Sequence, residues 1–155
     1  MGKPSDISEP IIESLYSEAL VLADEVRAVF DLRPVSGPDY DGDRLRLAMS
    51  IEGLRTTTRI MHVLAWLLNQ RAYLSGDMTE FQLRRHGVLP ADRASDPDNL
   101  AALETATCEL IAATEALHRR VSRLDAAWRE GFSAHPSAVL QLRERLGREL
   151  RVVSR

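Results

Sequence analysis

The sequence predicts an all-α protein: an antiparallel three-helix bundle with a long central helix, a short helix in the second loop and a short C-terminal helix. Three observations predict it. Apolar residues recur in steps of three and four over three long stretches. Aromatic residues make up only 5% of the chain, while Leu, Ala and Arg are frequent, a mix that favours helix over sheet. The breakers Pro34, Gly37, Pro38, Gly42, Gly76, Gly87 and Pro90 fall between the periodic stretches. At 155 residues the chain is read as one domain over 1–155, with a polar lead at 1–9 and a less anchored C-terminal segment at 131–155.

The first helix starts near Ser8 to Pro10, with a capping serine and a first-turn proline. Ile12, Leu15, Ala19, Leu22, Val26 and Val29 form its seam, and Glu13, Glu18 and Glu25 face away. It stops by Arg33, since Pro34 disfavours a helical conformation one residue earlier. Residues 34–43 are a loop, with Asp41 or Asp43 as the cap of the next helix. The triplet Asp39, Asp41 and Asp43 lacks the glycine and distant glutamate of a calcium loop.

The central helix spans Arg44 to Leu74, roughly 46 Å at 1.5 Å per residue. Leu47, Ile51, Leu54, Thr58, Met61, Ala65, Leu68 and Ala72 make one continuous seam, read as the inner one. Val63, Trp66, Leu67 and Tyr73 lie on a second apolar face and need another cover. A large aromatic with a polar tip has the composition of an interface hot spot, so these four residues are read as a homodimer face. The alternative is ordinary packing against the neighbouring helices.

Gly76 ends this helix, and Asp77 or Thr79 caps a short helix that Gly87 closes. After a loop at 88–96, Asp96-Pro97-Asp98 starts a third long helix that runs to about Arg129. Its seam is Leu103, Thr107, Leu110, Thr114, Leu117, Val121, Leu124 and Trp128, and Gly131 ends it. A fourth element begins at Ser133 to Pro136, with Val139, Leu142, Leu146 and Val153 on one face.

The net charge of −3 is unevenly spread: −7 over residues 1–43, +4 over 44–75, −2 over 76–99 and +2 over 100–155. That distribution lacks the basic face of a nucleic-acid-binding protein and suits helix pairing or an acidic partner. The first residues lack the apolar stretch of a signal peptide, and no apolar run is long enough to span a membrane. The lone Cys108 excludes an internal disulfide framework. A cytoplasmic protein is expected.

No catalytic constellation is visible. Glu115-x-x-His118 matches half of a di-iron bundle motif, but a second copy and the companion glutamates are missing. Cys108 has no nucleophile signature and reads as an inert thiol. His62 reads as a hydrogen-bonded core or interface residue, His86 as the basic end of the short helix, and His135 as a cap. There is no glycine-rich phosphate loop and no serine elbow. No cofactor and no metal are expected. Arg55 and Arg59, four apart, share a face that could grip a partner's carboxylate; the ordinary reading is a solvated or internally paired face.

The block Glu52-x-x-Arg55-x-Thr57-Thr58-Arg59-x-Met61, then Ala65-Trp66-Leu67-Leu68, Gln70-Arg71-Ala72 and Gly76-Asp77-Met78-Thr79, resembles the central signature of the alphaproteobacterial family of the regulator of CtrA degradation. The resemblance covers residues 8–130. It implies a small dimeric helical bundle without catalytic activity. It also implies an accessory adaptor role in ClpXP proteolysis during the cell cycle, with a response-regulator-like protease adaptor and client proteins as partners. The rival readings are a structural dimerisation module and, last, a metal-binding bundle.

Overall fold

The computed structural model describes residues 9–31 and 40–134. All regular structure among them is helical, in the order α1 (Glu9–Phe30), α2 (Tyr40–Leu74), α3 (Glu80–His86), α4 (Pro97–Ala102) and α5 (Thr105–Ala134).

The first helix follows its apolar pattern. Ile12, Leu15, Ala19, Leu22 and Val26 are buried, while Val29 at the end of the same seam stays partly exposed. Helix α1 runs antiparallel to α2. Its start meets the end of α2 through Glu13 and Arg71, and its end meets the middle of α2, where the Phe30 ring lies against Gly53.

Helix α2 has 35 residues, so it is about 52 Å long. It begins at Tyr40, four residues ahead of expectation, so Asp41 and Asp43 lie in its first turn rather than before it. Its end is as predicted. Gly76 takes a left-handed φ of +86°, and the N–H groups of Asp77 and Met78 donate to the Ala72 carbonyl at 2.9 and 3.1 Å. Thr79 then caps α3 through a reciprocal pair with Gln82.

The predicted third helix is two helices. Asp96 caps α4 by accepting from the Asp98 N–H at 2.9 Å. Leu103 is then extended (ψ 157°), and the chain restarts as α5 with the Glu104 carbonyl accepting from the Cys108 N–H. Helix α5 passes through Gly131 to Ala134, so Gly131 does not end it. A glycine in the last turn costs a helix only about 1 kcal/mol. The expected fourth element with Val139, Leu142, Leu146 and Val153 lies outside the described residues.

Helix α5 packs on α2 in the same direction. Arg59 meets Thr114, Trp66 meets Asp125 and Tyr73 meets Trp128, so both residue numbers rise together. Against α1 it is antiparallel to the extent that Glu18 meets Arg120 near the middle and Leu15 lies beside Leu124 further along. The all-antiparallel expectation therefore fails for the α2–α5 pair. Residues 75–104 cross back along α2, and α4 packs on its N-terminal half, where Asn99 reaches Glu52. The core lies between α1, α2 and α5, around Ile12, Ala19, Val63, Trp66, Leu67, Leu117 and Val121.

Candidate functional site

The two apolar faces of α2 are used the other way round from the sequence expectation. Val63, Trp66 and Leu67 are fully buried inside the chain, and Tyr73 is half-buried with its ring edge-on to Trp128 at 6.4 Å. None of the first three is available to a second copy. The regular seam read as inner is instead open to solvent: Leu47 is 61% exposed, Leu54 71%, Met61 59% and Leu68 48%. Thr58 and Ala65 between them are exposed as well.

Side-chain size explains the reversal. The face that turns inward carries Trp66, Leu67, Ile60 and Val63, and fully burying each large apolar side chain contributes about 1.5–3 kcal/mol. The outward face alternates large residues with small ones, Thr58, Ala65 and Ala72, and offers less area to a neighbouring helix. Gly53 sharpens the choice. A Cβ there would stand 2.9 Å from Phe30 Cδ1, so only glycine lets the end of α1 close on that side of α2.

The inward face continues through polar residues in the first half of α2, where Glu52, Thr56 and Arg59 are buried. Arg59 is the best satisfied of them. Its Nε donates to both carboxylate oxygens of Asp92 at 2.8 Å, Nη1 to Thr114 Oγ1 at 3.1 Å, and Nη2 to the Arg93 carbonyl at 3.2 Å and Glu115 Oε1 at 3.4 Å. One guanidinium thus joins α2, α5 and the crossover. Arg55 pairs with Glu52 one turn earlier at 2.8 Å. Of the two readings the sequence left for Arg55 and Arg59, a partner-gripping pair and a solvated or internally paired face, the structure shows internal pairing, and Arg59 is inaccessible.

Glu52 Oε1 accepts from Arg55, from the Asp96 N–H at 3.1 Å and from Asn99 Nδ2 at 3.0 Å. Burial pushes its carboxyl up. Hydrogen bonds from Asn99, the Asp96 backbone and Ser95, with the Arg55 charge, outweigh that and hold it below the usual glutamate range. Glu115 and His118, the half-motif for metal, also hold the crossover. Ser95 Oγ donates to Glu115 Oε1 at 2.8 Å, and His118 Nε2 donates to the Pro90 carbonyl at 3.1 Å. The Cys108 thiol donates to the Leu100 carbonyl at 3.3 Å. Trp66 Nε1 donates to the buried Asp125 at 2.9 Å, and Arg129 neutralises that carboxylate at 3.0 Å.

Sequence reasoning missed the outward stripe as a candidate surface. The signal was present: Leu47, Leu54, Met61 and Leu68 fall at seven-residue intervals and stack along one side of a helix. Leu20 of α1 is a further exposed large apolar residue. It lies one turn from Tyr16 and two from Glu13, both of which contact Arg71 of α2, and it is 44% exposed. Two of the charges flanking the stripe are already paired, Arg55 with Glu52 and Arg71 with Glu13.

The molecule is an all-α protein organised on one long helix that keeps an apolar stripe in solvent. Residues 4–150 match the family described as protein of unknown function (DUF1465), and the chain belongs to that family. No curated protein and no solved structure matches it. No helix among the described residues is long and apolar enough to cross a membrane.

Proposed function

We propose that this chain is a non-enzymatic protein-interaction factor that forms a homodimer through the outward stripe of α2. The observation that carries the reading is the row of Leu47, Leu54, Met61 and Leu68, exposed while the row of Ile60, Val63, Trp66 and Leu67 on the same helix is buried. Exposed apolar rows of this kind mark association sites. The row is self-complementary. A two-fold axis beside Thr57 and Thr58 sets Leu47 against Leu68 of the second copy and Leu54 against Met61. Covering the half-exposed side chains contributes on the order of 3–6 kcal/mol per copy. Arg55 and Arg71 are neutralised within the chain, so neither brings a bare charge to the two-fold contact.

The likeness of residues 51–79 to the regulator of CtrA degradation supports a more specific reading. The dimer is a cytoplasmic accessory adaptor of regulated proteolysis, which raises the effective concentration of a client at a protease. The partners are then a response-regulator-like protease adaptor and client proteins. Affinity purification with mass spectrometry from the source cells tests this. Enrichment of protease subunits or response regulators over a Met61→Glu control supports the adaptor role. Recovery of this chain alone leaves the dimerisation module as the better description.

A further inference from the structure

We infer that the groove between α1 and α5 docks an acidic amphipathic peptide of a partner protein, which gives the interaction factor proposed above a second surface. The groove is lined by Pro10, Ile11, Ser14 and Leu15 from α1 and by Arg120, Arg123 and Leu124 from α5, and holds about 480 Å³. No residue of α2 lines it, so it lies apart from the stripe. Its floor is apolar, and Ile11 is 46% exposed at its edge.

The charge in the groove points to the occupant. Arg120 is committed to Glu18 through a bidentate pair. Arg123 is exposed and has no ion pair or hydrogen bond among the described residues, unlike Arg55, Arg59, Arg71 and Arg120. Arg119 adds a further exposed cation one turn before it. The Glu18 carboxylate is saturated by Arg120, which leaves the wall of the groove with net positive charge. An apolar floor beside an unpaired guanidinium fits a helix or extended segment that inserts one or two apolar side chains and lays a carboxylate on Arg123. A volume of this size takes a few side chains and not a folded surface. Because stripe and groove are separate, a dimer presents two such grooves, which suits tethering.

The test uses the full chain and three synthetic amphipathic peptides with the same leucine pattern, their polar positions filled by Glu, Gln or Lys. Fluorescence anisotropy at about 50 mM salt reads affinity, and backbone amide NMR reads the site. The Leu/Glu peptide binds on the order of tenfold tighter than the Leu/Lys peptide, with shifts at Ile11, Ser14, Arg123 and Leu124. Arg123→Glu reverses the preference without changing the mass of the dimer. Ile11→Asp weakens all three peptides. Equal binding of the Glu and Lys peptides, shifts confined to Leu54, Met61 and Leu68, or no binding at millimolar peptide overturns the assignment. So does a monomeric Arg123→Glu protein, because the groove would then serve self-association. Peptide binding by a monomeric Met61→Glu variant keeps this test independent of the stripe.

Discussion

A guanidinium buried as deeply as that of Arg59 is stable only when its donors find acceptors. Here they find Asp92, Thr114, Glu115 and the Arg93 carbonyl. Lysine carries the charge but not the fork, and cannot reach all of these from one point. Arg59→Lys therefore costs about 2–3 kcal/mol in urea unfolding, below the full cost of breaking a buried pair because Asp92 and Glu115 keep some contact with water. Glu52 supplies a pH signature. Its folded carboxyl titrates below the ordinary glutamate range, so its stabilisation is complete above that range and is lost as pH falls through the lower folded value. Urea midpoints measured from about pH 6 down to about pH 3 fall in the wild type, and Glu52→Gln flattens this acid limb. Internal pairing of Arg59 was one reading the sequence offered, but its burial and the role of Glu52 were not legible. A search for apolar rows passes over Glu52, Thr56 and Arg59, although they extend the row of Ile60, Val63, Trp66, Leu67 and Gln70 at helical spacing.

At the level of elements, α1 and α5 were legible because each has a single apolar stripe. Every seam residue expected on α5 from Thr107 to Trp128 is buried or half-buried. Helix α2 was not, because it has two stripes and periodicity cannot say which turns inward. Residue volume and Gly53 decide it, and both can be read from sequence when weighed together. The break at Leu103 and Glu104 had no signal, since neither residue disfavours a helix strongly. Gly53 makes the packing argument testable. An alanine at an ordinary helical site gains about 1 kcal/mol over glycine. At position 53 the added methyl meets the Phe30 ring, so Gly53→Ala loses about 1 kcal/mol instead. Pairing it with Phe30→Leu recovers the ordinary gain, measured as a double-mutant cycle in urea. Gly76→Ala at the end of α2 has open space around it, yet its φ of +86° makes it cost about 1 kcal/mol in the same assay.

For the molecule as a whole, the parallel run of α2 and α5 leaves the outer side of α2 without a third neighbour among the described residues. The crossover that allows this run lies on the far side, held by Arg59, Glu52 and His118. The stripe of Leu47, Leu54, Met61 and Leu68 is therefore a product of topology as well as of pattern. Its use as a two-fold face is the claim on which the proposed function rests. Sedimentation equilibrium of the full chain, wild type beside Met61→Glu and Leu54→Glu, tests it most directly. The expected result is a dimer mass for the wild type and a monomer mass for both variants, with helical content unchanged. A monomeric wild type, or variants that keep the dimer mass, contradicts it.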